Sequence, residues 1–198
     1  MKQLFALLII SLLLISCTSE QDQSAPPPAA TEKSLFEELK EQTIKNPNDA
    51  EAWYHLADMY ERSEQFREEV DALNKVIALK PDKGYTYAKL ATAYNRLGQY
   101  QDAVKNFLIA LKYFPKNPVT YNNLAVSYGK LGKINEEITS LEKAIALRPN
   151  YATARFNLGV ALLKKGKRGE AVKQYEKLKT IDETTAVTLK KEIDGARK

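Results

Sequence analysis

Four prolines, Pro47, Pro81, Pro115 and Pro149, stand 34 residues apart. The same step joins Trp53, Tyr87 and Tyr121, and it joins Leu56, Leu90, Leu124 and Leu158. Small residues follow at Ala57, Ala91, Ala125 and Gly159; Tyr60, Tyr94 and Tyr128 come next, with Leu162 in the fourth copy. Gly98, Gly132 and Gly166 recur at one later place, where the first copy has Glu64. Leu73, Phe107, Leu141 and Tyr175 are the large residues of each second half, and Val76, Ala110, Ala144 and Leu178 close it. A period of this length means one supersecondary unit per copy, each burying its apolar face only against its neighbours.

Within a copy the apolar residues fall three, four and seven apart, as on one face of a helix. Tyr87, Leu90, Ala91 and Tyr94 make one such stripe. The glycine permits a turn, and the proline ends the second helix because its ring cannot continue one. Pro118 is suited to a first helical position, where its missing N–H costs nothing.

These residues resemble the tetratricopeptide repeat, W-x2-L-G-x2-Y followed by A-x3-F and P. The resemblance covers four copies, 50–83, 84–117, 118–151 and 152–185, which is 136 of the 198 residues. It implies an all-α, right-handed superhelix (an α-solenoid) of helix-turn-helix repeats. Residues 34–49 match only a second helix and are expected to form an N-terminal half-repeat. The fourth copy departs from the pattern at Arg155, Arg168 and Glu183. Residues 186–198 are expected to supply a C-terminal capping helix and tail, the helix near 184–194 placing Val187 and Leu189 to Ile193 against the stack.

The chain's start carries a different signal. After Lys2, the twelve residues Leu4 to Ile15 are apolar except for Ser11. A transmembrane helix needs about 20, whereas the apolar region of a secretory signal has about 7–15. Leu14-Ile15-Ser16-Cys17 resembles the bacterial lipobox. That resemblance implies removal of residues 1–16, a diacylglyceryl group on Cys17 and a further acyl chain, such as palmitate, on its new amino group. An ordinary signal with a chance cysteine is the alternative. Residues 17–33 are then the lipidated cysteine and a flexible linker, of which residues 18–32, rich in Pro, Ala and Ser, reach at most about 50 Å.

One cysteine and one histidine, His55, exclude the usual zinc ligand sets. No metal, cofactor or catalytic group is expected. The pairs Glu68-Glu69 and Glu136-Glu137 read as solvated surface, because adjacent residues on a helix do not face each other. Residues 17–83 carry 15 acidic and 8 basic side chains; residues 84–198 carry 10 and 21. The basic half points to an acidic protein partner, an anionic polymer or a lipid surface, or to plain solvation; nucleic acid is a poor fit to a secreted chain.

The family resemblance also implies a groove lined by first helices, at positions 2, 5, 9, 12 and 13 of each repeat. Position 13 gives the cations Arg62, Arg96, Lys130 and Lys164. The other positions give Tyr54, Tyr85, Asn95, Asn122 and Phe156. Position 9 holds Asp58, Thr92, Val126 and Val160, without the asparagine that some members use to clamp a C-terminal carboxylate; Asn123 and Asn157, at position 6, supply only part of that pattern. Such a groove would take an extended or helical peptide, its carboxylates meeting the cation row; a solvated helix face is the alternative.

The expectation is a non-enzymatic, lipid-anchored scaffold or adaptor for a protein segment, serving a cell-envelope assembly. A structural subunit of a membrane complex, pilotin-like or part of outer-membrane assembly and acting by self-association or helix-edge contacts, is the alternative. Oligomeric state stays open. Thr18 in place of Asp favours the outer membrane facing the periplasm, or the extracytoplasmic face in a Gram-positive cell.

Overall fold

The structure, a computed structural model, describes residues 29–196. Cys17, the signal and most of the linker lie outside the described residues. Those described form ten helices and no strand. They are α1 (Ala29–Lys45), α2 (Ala50–Arg62), α3 (Phe66–Leu79), α4 (Gly84–Arg96), α5 (Tyr100–Tyr113), α6 (Pro118–Lys130), α7 (Ile134–Leu147), α8 (Ala152–Lys164), α9 (Arg168–Leu178) and α10 (Glu183–Gly195). Each helix packs on the next, and α10 also reaches back to α8. This is an all-α solenoid. None of these helices is long and apolar enough to cross a membrane.

Local chemistry sets the helix ends. Asp49 accepts from the backbone N–H groups of Glu51 and Ala52, both at 3.1 Å, and so caps α2. Asn117 caps α6 in the same way, and Pro118 follows at its first position. The turn inside each repeat needs one left-handed residue. Gly98, Gly132 and Gly166 supply it at φ 71–76°, and Glu64 is held at φ 57° in the first copy. A side chain there is strained by roughly 1 kcal/mol.

The core is continuous from repeat to repeat. Leu73, Phe107 and Leu141 are at most 1 % exposed, each at the centre of its second helix. Trp53 donates its indole N–H to the Pro47 carbonyl at 3.0 Å, pinning α2 to the turn before it. Arg155, at the equivalent place in the fourth copy, donates to the Pro149 carbonyl at 2.9 Å. The apparent loss of the aromatic therefore preserves the tie.

Three expectations at the ends need correction. The first helix starts at Ala29, inside the stretch read as linker, because Ala29-Ala30 and Glu32-Lys33 favour helix once the prolines are passed. The last helix runs from Glu183, within one residue of the expected start near 184 and ahead of the boundary drawn at 186, because Asp182 caps it by accepting from Thr185 N–H at 3.0 Å. It turns Ala186, Leu189 and Ile193 inward and leaves Val187 half exposed. Arg168, one of the fourth copy's departures from the repeat pattern, donates to the Ile193 carbonyl and lies 3.8 Å from Asp194. It holds the capping helix to α9.

Candidate functional site: the face lined by the first helices

The residues named from the groove positions fall into two sets. In repeats 3 and 4, α6 supplies Val126, Gly129 and Lys130, and α8 supplies Phe156, Asn157, Val160 and Lys164. These line one open pocket, with Ala125, Leu141 and Glu137 forming its floor. Helical spacing explains the set: positions 9 and 13 of both helices stand one turn apart on the same side. Lys130 and Lys164 are exposed at the mouth, and Phe156 is half-buried.

In repeats 1 and 2 the same face is filled by the chain itself. Lys89, at position 6 of the second repeat, lies 2.9 Å from Asp58, forms a hydrogen-bonded ion pair with Glu61 and comes within 3.9 Å of Glu69. Its side chain is only 16 % exposed. Burial works against its charge, but the hydrogen bonds to Glu61 and Asp58 outweigh it and hold the ammonium above its ordinary pKa. Tyr54 and Tyr85 meet edge to face beside this network, with ring centroids 5.5 Å apart. Lys83 stands 5.6 Å over the Tyr85 ring.

The row of four cations is not uniform. Arg62 is exposed at the end of α2. Arg96 lies 5.1 Å over the Phe66 ring, a cation–π contact between repeats 1 and 2. Only Lys130 and Lys164 share a pocket. Asn95 accepts from the Ser127 hydroxyl at 2.8 Å, a bond that joins two first helices. Asn122 departs from its expected role: it is 5 % exposed, its oxygen accepts from Asn157 at 3.0 Å and its amide faces the Asn123 oxygen at 3.3 Å. Its polar atoms are committed within the stack. His55 is exposed and meets only the edge of Tyr54.

The acidic pairs are the clearest departure from the sequence reading. Glu68 and Glu136 are solvated, but Glu69 is 1 % exposed and Glu137 is 7 % exposed. Each occupies the slot that Ala103 and Ala171 fill in the other two repeats, on the side of the second helix that faces the first. One carboxylate oxygen of each, Oε2, is buried without a hydrogen-bond partner among the described residues. Room for Glu137 comes from Gly129, where a Cβ would stand 2.7 Å from the carboxyl group. A glutamate in a slot otherwise held by alanine was the signal available in the sequence.

Burial lifts Glu69 from 4.5 to about 7, against the opposing pull of Lys89. The unfolded chain loses this proton near pH 4.5 and the folded chain near 7, so stability falls as pH rises through that window. Acidifying from pH 7.5 to 5 is expected to raise the unfolding free energy by about 2–3 kcal/mol. Urea denaturation across that range checks it, and Glu69→Gln should remove most of the slope. Burial raises Glu137 as well, opposed by Lys164.

Comparison with known proteins follows the same lines. The TPR repeat model matches residues 91–132 and 130–166, and the tetratricopeptide repeat model matches 50–83 and 152–185. The chain belongs to the tetratricopeptide repeat family. Members of this family are non-enzymatic protein-interaction scaffolds, and that is the function class of this chain. No curated protein matches the sequence. Among solved structures, MamA is similar at 24% identity and a TM-score of 0.75, covering 79% of this chain and 92% of that one. A MamA fragment from Desulfovibrio magneticus RS-1 shares 19% identity at a TM-score of 0.74, covering 78% and 87%. YrrB, described as a TPR protein with an unusual peptide-binding site, shares 18% identity at 0.65, covering 82% and 93%. At these identities the likeness is one of fold.

Proposed function

We propose that this tetratricopeptide repeat protein is a lipid-anchored adaptor that holds a segment of a partner protein on the face lined by its first helices, in the service of a cell-envelope assembly. The observation that carries the reading is the pocket between α6 and α8. It joins apolar walls at Val126, Phe156 and Val160 to the exposed cations Lys130 and Lys164, and no side chain of the described residues fills it. That combination suits a segment with acidic and apolar side chains. YrrB, similar in fold, is a protein with a peptide-binding site. The anchor rests on Leu14-Ile15-Ser16-Cys17, and the placement at the outer membrane facing the periplasm rests on Thr18.

Crosslinked capture from native membranes tests this reading. The wild-type chain should retain a discrete partner, and the double change Lys130→Glu/Lys164→Glu should reduce its recovery tenfold or more while the helical signal in circular dichroism stays intact. Unchanged recovery would remove the groove from the argument. Mass spectrometry of the same preparation should find the mature chain starting at an acylated Cys17. The second reading, a self-associating subunit, draws on Leu108, Tyr113 and Phe114, all 44–47 % exposed on or just after α5. Sedimentation over a range of concentration separates the two.

A further inference from the structure

The two pairs of repeats can be compared residue by residue. Glu69 in α3 and Glu137 in α7 hold the same register, 68 residues apart. Facing Glu69, the next first helix presents Lys89 at position 6, and that lysine sits among Asp58, Glu61 and Glu69. Facing Glu137, position 6 is Asn157, which turns aside to donate to Asn122 at 3.0 Å. Gly129 stands in place of Glu61 and Val126 in place of Asp58. The seat that a lysine occupies in the first pair is open in the second. Its floor keeps a buried carboxylate with one oxygen unpartnered among the described residues.

We infer that this seat is a subsite for an aliphatic ammonium group, the lysine side chain of the partner segment, which enters between α6 and α8 and pairs with Glu137. The inference rests on the groove reading above and adds a residue type to it. Val126, Phe156 and Val160 would cover the methylenes, as apolar surface does for lysine stems elsewhere. The ammonium would supply the donor that the buried carboxylate lacks; leaving such a group unmet is costly. Lys130 and Lys164 are the charged groups facing the seat. Both stand in solvent, where water and salt screen them, whereas Glu137 is screened much less. In the first pair Lys89 is seated with Arg62 and Arg96 at the matching positions, although there Asp58 and Glu61 join Glu69 in holding it. The matching segment thus carries a lysine flanked by acidic residues, the lysine for Glu137 and the acids for the two rim cations.

Pentylammonium, pentanol and pentanoate are the probes, titrated into the full chain while backbone amides are followed by NMR. Pentylammonium should move the Gly129, Glu137, Phe156 and Asn157 signals, with an affinity in the roughly millimolar range that a ligand of this size allows. Pentanol should bind at least tenfold more weakly, and pentanoate should not move the floor. The Glu137 carboxyl pKa should fall as the amine is added. Glu137→Gln should weaken the amine tenfold or more, and Asn157→Lys, which puts a lysine at the register of Lys89 and gives up the hydrogen bond to Asn122, should compete for the seat and do the same. Should Glu137→Gln fail to fold, the three-probe comparison on the wild-type chain and Asn157→Lys still decide. Equal binding of amine and alcohol, preference for pentanoate, or full amine binding in Asn157→Lys overturns the inference. If the amine binds but charge reversal at Lys130 and Lys164 leaves partner capture unchanged, the groove reading falls and the ammonium seat stands. The converse result removes the seat alone.

Discussion

Phe107→Ala is expected to lower the unfolding free energy by about 3–5 kcal/mol, the usual cost of emptying a buried aromatic site. Phe107 is 1 % exposed and packs on Ala91, Ala103, Leu111 and Leu124, with Tyr94, Tyr121 and Tyr128 around them. It therefore joins α4, α5 and α6 in one contact set. A repeat array takes its stability from neighbouring interfaces, so damage at the middle should uncouple the two ends. The expected result is a lower urea midpoint and a shallower transition, as the two sides begin to unfold separately. Leu108→Ala, on the next residue but 44 % exposed, should change stability by about 0.5 kcal/mol or less. A single steep transition in Phe107→Ala would show that the stack has no weak middle.

Lys89→Met should cost about 3 kcal/mol at pH 7.5. The stem of the side chain is retained, so the loss is chiefly electrostatic. Removing one partner of a mostly buried ion pair typically costs 3–5 kcal/mol, and 16 % exposure of the lysine places this case at the lower end. Asp58, Glu61 and Glu69 would be left to face one another. Glu69 takes up a proton on acidification and drops out of that repulsion, so part of the loss should be recovered by pH 5. Denaturation of wild type and variant at both pH values checks the sign: a loss equal at the two would mean that the lysine acts by packing.

Much of the fold was legible because the repeat is written redundantly. Leu56, Leu90, Leu124 and Leu158 are all buried where the period puts them. What stayed hidden were departures from the repeat that depend on a second helix. Glu69 and Glu137 look like surface residues beside Glu68 and Glu136, and only the packing of the first helix over the second shows which of each pair turns inward. Lys89 and Asn157 hold one register and do different things, because one meets carboxylates at Asp58 and Glu61 while the other meets Asn122. Val187 was misjudged against Ala186 because Ala186, Leu189 and Ile193 fall on one helical stripe, three and then four residues apart, and Val187 stands off it.

The groove was legible as a list of positions and not as a shape. Position 13 does present four cations, but Arg96 is drawn onto Phe66, and only Lys130 and Lys164 border a pocket. Asn122 was expected to face a partner, and a neighbouring asparagine claims it. Both outcomes turn on residues one repeat away, which no single copy of the period contains.

The two ends of the stack differ in how they would bear a load. The capping helix α10 buries Ala186, Leu189 and Ile193 and is clasped by Arg168. Among its described side chains helix α1 buries only Leu39 and Thr43, with Phe36 touching Tyr60 edge-on. Tension drawn along the chain from its N-terminal side reaches α1 first, and α1 should peel at a force that leaves the later helices seated. Its release would add extended chain at up to about 3.5 Å per residue. Slack would then be let out at one end of the stack before the pocket between α6 and α8 feels the strain.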